Sequence, residues 1–132
     1  MTYLLDTHSF LWAIFSPQKL SKSARETIRN QDSEVAVSVV TFWEISLKYA
    51  LGKLDLVKVK PEDLPDVAEK TGIDILQITP QEAASFHNLP RLTHKDPFDR
   101  LIIWQAIQRK MPLISKDREF KDYRKFGLKI HW

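Results

Sequence analysis

The chain has 132 residues, 43% apolar and 28% charged, with a net charge of +3 and no cysteine. That length suits one domain, 1–132, with a core of its own, and the composition excludes a disordered chain. Disulfides, thiolate zinc sites and cysteine nucleophiles are excluded, which suits a reducing, cytoplasmic setting. The modest positive charge permits a polyanionic partner without demanding one.

Residues 2–5 form a short apolar run ending at Asp6 and read as a buried strand that delivers Asp6 at its end. The apolar stretch MTYLLDTHSFLWAIF is interrupted by Asp6 and His8. It lacks a basic leader and a small-residue cleavage site, so neither a signal peptide nor a membrane span is expected. A helix follows, with Thr7 as its cap, through Phe15 until Pro17 stops it. Residues 21–31 suit an amphipathic helix, and EVAVSVV over 34–40 suits a second buried strand.

TFWEISLKYAL, residues 41–51, has a broad apolar surface at helical spacing. Glu44 and Lys48 lie four apart, with the acid on the N-terminal side, which favours an ion pair. Gly52 ends this helix. Residues 53–60 alternate and fit an edge strand or an extended connection. A helix over 61–71, a strand over 74–78 and a short helix over 79–88 follow. Residues 89–95 form a loop. Asp96 then caps a buried helix that begins at Pro97 and carries Asp99 in its first turn. A fourth strand over 111–115 ends beside Asp117, and a turn of helix or loop over 122–127 leads to a last strand over 128–130.

Alternating strands and helices predict an α/β fold with a small, mainly parallel sheet covered on both faces. Sites in such folds form at the carboxyl ends of the strands. Asp6 and Asp117 follow strands directly, Glu44 opens the helix after the second, and Asp99 opens the helix before the fourth. An Asp at a cap and another in the first turn complement the helix dipole, and this alone accounts for Asp96 and Asp99. Four acids converging on one edge repel one another and call for a counter-charge. Oxygen donors of this kind suit Mg²⁺ or Mn²⁺, and such an ion supports phosphodiester hydrolysis. No P-loop is present. His8, His87, His94 and His131 show no metal-ligand spacing, although His94 flanks the acids. A phosphatase with Asp6 as nucleophile usually wants a second Asp two residues on, and position 8 is His.

LLDTH at Asp6, SVVTFWEISLK at Glu44, HKDPFDRLIIWQA at Asp96 and Asp99, and LISKD at Asp117 resemble the PIN domain. More closely, they resemble the VapC-type toxins of bacterial type II toxin–antitoxin systems. The resemblance runs nearly end to end. It implies a PIN-like three-layer fold and a Mg²⁺- or Mn²⁺-dependent ribonuclease. It also implies an RNA substrate, a homodimer and a cognate VapB-like antitoxin. By this resemblance Asp6, Glu44, Asp99 and Asp117 are the catalytic acids, with Asp6 and Asp99 expected to hold the principal metal. Asp96 is expected to be structural first and an extra ligand second. Ser115 stands where the family often has Thr. A nuclease of the same fold acting on structured DNA would share all four acids. A PIN-like nucleic-acid-binding module would be expected to lose some of them.

The chain after Arg109 is basic, with Lys116, Arg118, Lys121 and Arg124 among its cations and Phe120, Tyr123 and Phe126 interleaved. This pattern suits phosphate contacts and stacking platforms as well as it suits a solvated face. Arg100 is a candidate phosphate contact, and a surface helix arginine is the simpler reading. Trp12, Trp43 and Trp104 are expected in the core or a dimer interface. A groove around Phe10, Phe15, Phe42 and Tyr49 is where a partner helix would be sought.

Overall fold

The computed structural model describes residues 1–132. Five strands form one parallel sheet in the order β3-β2-β1-β4-β5. They are β1 (Thr2–Leu5), β2 (Glu34–Ser38), β3 (Asp74–Leu76), β4 (Leu113–Ile114) and β5 (Ile130–His131). The helices are α1 (Thr7–Phe15), α2 (Lys22–Arg29), α3 (Val39–Ala50), α4 (Leu64–Lys70), α5 (Pro80–Ser85) and α6 (Pro97–Arg109). A 3₁₀ segment spans Arg118–Phe126. No helix is long and apolar enough to cross a membrane.

Pleating sends alternate side chains to opposite faces, so each strand feeds two cores. In register, Leu4 faces Ala36 and Leu113, and all three join the core that includes Ile102, Ile103 and Trp104 of α6. Leu5 faces Val37 and Ile114, and these join Phe10 of α1, Ala24 of α2 and Leu64 and Ala68 of α4. The sheet is therefore the middle of three layers, which explains why its strands read as continuous apolar runs. Each fully buried Leu or Ile contributes about 1.5–3 kcal/mol.

Several local expectations change. The strand expected over 34–40 ends at Ser38, because the Ser38 hydroxyl accepts from Val40 N at 3.1 Å and starts α3 two residues early. Residues 53–60 hold no strand and form the extended connection. The expected helix over 61–71 begins as a 3₁₀ turn at Pro61–Asp63. The segment after Asp117 is helical from Arg118, earlier than expected. Gly52 takes φ +71°, the left-handed turn that ends α3.

Candidate active site

The topology places the acids before any side chain is considered. All strands run the same way, so Leu5, Ser38 and Ile114 end on one edge. α6 leads back toward β4 and presents its N-terminus at that edge. Asp6, Glu44, Asp96, Asp99 and Asp117 thus come from four separate chain segments to one rim.

Asp6, rather than Thr7, caps α1: its Oδ1 accepts from Ser9 N at 2.8 Å. It is 4% exposed. Burial pushes its carboxyl above the ordinary value, and hydrogen bonding from Ser115 and Ser9 only partly offsets this. Freed from capping, the Thr7 hydroxyl donates to Glu44 Oε1 at 2.6 Å and lies 3.1 Å from the Thr41 hydroxyl. Glu44 is 2% exposed, and its other oxygen takes the expected ion pair from Lys48. Burial opposes the charge on Lys48, but bonding to Glu44 and the nearby charges of Asp96 and Asp99 outweigh it, so the ammonium is held above its ordinary pKa.

Asp96 caps α6 as expected, accepting from Phe98 N at 2.9 Å and Asp99 N at 3.2 Å. Asp99 sits beside it with Oδ2 3.0 Å from His94 Nε2. Burial first, then the Asp96 charge, push the Asp99 carboxyl up to about 7, with His94 pulling the other way. His94 Nδ1 lies 2.6 Å from Glu119 Oε2, and its ring meets Phe120 edge-on. Burial disfavours the imidazolium, yet bonds to Glu119 and Asp99 prevail and raise its pKa. Asp117 caps the 3₁₀ segment through Glu119 N at 2.9 Å, and its own N–H donates to the Ser115 hydroxyl at 3.1 Å.

The acids and His94 fall into two groups of three. Glu44, Asp96 and Asp99 offer ligand atoms within 4.8 Å of one another, and His94, Asp117 and Glu119 do the same. The His94–Asp99 contact joins the two groups. Asp6 belongs to neither and lines a cavity of about 330 Å³ with His8, Trp12, Lys116 and Asp117. The all-carboxylate group fits a hard divalent cation: burial and then the Asp96 charge raise the Asp99 carboxyl, and Lys48 is drawn in as a counter-ion. Asp96 is both cap and member of this group.

Other expected site residues separate. Arg100 is turned to the loop before α6, where its Nη2 donates to Leu89 O at 3.0 Å and Pro90 O at 3.2 Å and its guanidinium lies over Phe86. It is neither a free surface arginine nor aimed at the acids. Lys116 and Arg118 are exposed and line a second cavity of about 380 Å³. Phe120 and Tyr123 are fully buried, which removes them as stacking platforms. Trp104 is core as expected; Trp12 packs partly buried against the α1 core and also lines the Asp6 cavity, and Trp43 is 63% exposed on α3. Glu119 escaped sequence reasoning because its link to His94 spans 25 residues.

The sequence profile of the PIN domain matches residues 3–126. The chain belongs to the PIN-domain family. This PIN domain is 33% identical over 123 residues to ribonuclease VapC22 of Mycobacterium tuberculosis, covering 93% of the chain and 92% of the relative. That similarity sets it among VapC-type PIN domains. Its fold resembles VapBC2 from Rickettsia felis bound to a promoter DNA fragment, with a TM-score of 0.68 and 18% identity over 99% of this chain and 98% of that one. It also resembles DNA-bound VapBC from Salmonella typhimurium, with a TM-score of 0.64 and 22% identity over 99% and 97%. At such identities the likeness is one of fold, and it agrees with the three-layer α/β architecture described above.

Proposed function

We propose that this PIN domain is the toxin of a VapBC-like type II toxin–antitoxin pair: a Mg²⁺- or Mn²⁺-dependent endoribonuclease acting in the cytoplasm. The observation that carries the reading is the convergence of Glu44, Asp96 and Asp99 at the carboxyl edge of a PIN sheet. The 33% identity to a protein named as a ribonuclease directs it to RNA.

Glu44, Asp96 and Asp99 would hold the ion, with Asp6 and Asp117 flanking the reacting phosphate from the neighbouring cavity. When bound, the ion supplies a water of lowered pKa and neutralises charge on the phosphoryl and leaving oxygens. The protein's own part is positional. Thr7 and Lys48 fix both oxygens of Glu44, so its carboxylate cannot rotate away. Asp99 must be ionised to bind a cation, and a protonated His94, with Nε2 against Asp99 Oδ2 and Nδ1 against Glu119 Oε2, favours that ionised form. Lys48 lowers the repulsion that three carboxylates would otherwise feel before an ion arrives.

A cognate VapB-like antitoxin and a homodimer belong to the same reading. The exposed apolar residues Trp43 and Leu47 of α3, with Leu51 just after it, suit burial by such partners. Of the groove sought around Phe10, Phe15, Phe42 and Tyr49, Phe10 is wholly buried with Phe42 edge-on against it, whereas Phe15 and Tyr49 are exposed.

The test is cleavage of total cellular RNA by purified protein with Mg²⁺, with Mn²⁺ and with EDTA, alongside Asp6→Asn and Asp99→Asn. Cuts at discrete sites that require both metal and acids are expected. A folded, antitoxin-free protein that leaves RNA intact under every condition would overturn the reading and direct attention to duplex and flap DNA.

A further inference from the structure

The Asp6 cavity does not end at its acids. Trp12 of α1 forms one wall, with the Lys116 ammonium 5.9 Å from the centre of its ring and His8 tilted against it at 5.7 Å. Trp132 lies 6.0 Å from Trp12, centre to centre, and lines the adjoining cavity with Lys116, Arg118, Lys121 and Arg124. Lys116 and Asp117 line both cavities, so the two adjoin at these residues. Together the two adjoining cavities start at buried Asp6 and are edged by two indoles and four cations. Its volumes, about 330 and 380 Å³, fall in the range of ligand sites.

The chemistry of these cavities is selective. Arg118, Lys121 and Arg124 have no acidic partner within ion-pair distance, whereas Lys48 on the other flank is committed to Glu44. Cations free of ion pairs beside partly exposed indoles suit a chain that alternates phosphates and bases. A duplex hides its base faces, so the matching polymer is single-stranded. Of the aromatics interleaved with these cations in sequence, Phe120 and Tyr123 are buried and cannot stack, while Phe126 is exposed but lines neither cavity.

We propose that Trp12 and Trp132, with Lys116, Arg118, Lys121 and Arg124, form a subsite for single-stranded RNA on the Asp117 side of the scissile phosphate. The base nearest the cut stacks on Trp12, and the next phosphates lie against the cations. This rests on the ribonuclease reading and adds to it the direction in which the strand leaves the acids.

The experiment measures binding rather than cleavage. The 132-residue chain carrying Asp99→Asn is titrated with a fluorescein-labelled, unstructured RNA dodecamer at several salt concentrations. In that background, Trp12→Leu keeps apolar bulk but removes the stacking face, and Trp12→Phe restores one. Trp12→Leu should weaken binding about tenfold and Trp12→Phe should recover most of it. Lys121→Ala with Arg124→Ala should lower the slope of log K against log salt by about 1.4. The charge-matched pair Lys60→Ala with Lys70→Ala, on the β3 side of the sheet, should change neither quantity. Equal binding by Trp12→Leu and its parent, or an equal loss from the Lys60 and Lys70 pair, overturns the subsite. Because binding is read without turnover, absence of cleavage by the unmutated chain would defeat the nuclease reading alone. Tighter binding of the matching DNA dodecamer would overturn the assignment to RNA.

Discussion

His94 lies between two acids, with Nε2 3.0 Å from Asp99 Oδ2 and Nδ1 2.6 Å from Glu119 Oε2. One imidazole thereby couples the first turn of α6 to the segment after β4. It makes the protonation of the carboxylate cluster a property of the pair rather than of Asp99 alone.

The sign of the resulting pH dependence follows directly. Asp99 titrates at about 7 in the folded protein, against about 3.9 for an unfolded aspartate. A raised pKa means that the folded state holds the proton more tightly. The contribution is complete below about pH 4 and is lost as pH rises through about 7. His94 is also raised, so its contribution is present below its unfolded value and lost as pH climbs through the folded one. Without metal, the protein is predicted to lose stability between about pH 4 and 7 relative to Asp99→Asn, by roughly 2–4 kcal/mol. Urea melts of both proteins across that range would measure it. Parallel curves would remove the raised Asp99.

Metal binding should release protons for the same reason. Asp99 must lose its proton to serve as a ligand. Titrating Mn²⁺ calorimetrically in buffers of different ionisation enthalpy near pH 6.5 should show net proton release, largely absent in Asp99→Asn. Identical heats in all buffers would mean that Asp99 is not a ligand.

Lys48 should behave as a resident counter-ion. Lys48→Met leaves Glu44, Asp96 and Asp99 without it. The metal-free protein should be destabilised by about 1 kcal/mol or more, from uncompensated like charges. The gain in Tm on adding Mg²⁺ or Mn²⁺ should then exceed that of the parent. Thermal melts with and without metal decide it, and an unchanged increment would count against the role.

Asp6 serves the fold as well as the site, so its substitutions should divide. Asp6→Asn keeps the acceptor for Ser9 N and removes a buried carboxylate. It should fold normally and lose cleavage. Asp6→Ala loses the cap and should be less stable than Asp6→Asn by about 1 kcal/mol. Chemical denaturation beside a cleavage assay separates the two effects.

Glu82 and Arg109 provide the opposite pH sign. The Arg109 guanidinium bonds both Glu82 oxygens, at 2.6 and 2.7 Å, and pins α5 to α6. These bonds hold the Glu82 carboxyl below its ordinary value. Its contribution is therefore present above about pH 4.3, the unfolded value, and lost as pH falls through the folded one. Arg109→Leu is predicted to cost about 2 kcal/mol at pH 7 by leaving Glu82 largely buried and unpaired. That difference should shrink in acid. A constant penalty across pH would trace it to packing instead.

What was legible in the sequence was local. Asp96-Pro97 announced its own cap, Thr79-Pro80 did the same for α5, and Glu44 and Lys48 met at their helical spacing. Alternation of strands and helices gave the layers because burial on both faces leaves continuous apolar runs. Local reading also misled. Val39 and Val40 carry strand propensity, but the Ser38 hydroxyl turned them into helix. Thr7 looked like a cap until Asp6 took the position. The link from His94 to Glu119 and the meeting of Trp12 with Trp132 join distant chain segments, and no spacing rule reaches them.

Asp6, Asp96 and Asp117 each terminate a helical segment with the same carboxylates that face the cavity or the acid cluster. Folding and chemistry therefore draw on shared atoms, and selection acting on either is felt by both. A lineage that abandoned cleavage would still be under pressure to keep a side-chain acceptor at these three positions. Asn or Ser, rather than Ala or a larger apolar residue, is the expected relic there. Glu44 and Asp99, which cap nothing, would be free to drift much further. The pattern of decay at these five positions would then distinguish a retired enzyme from a merely unstable one.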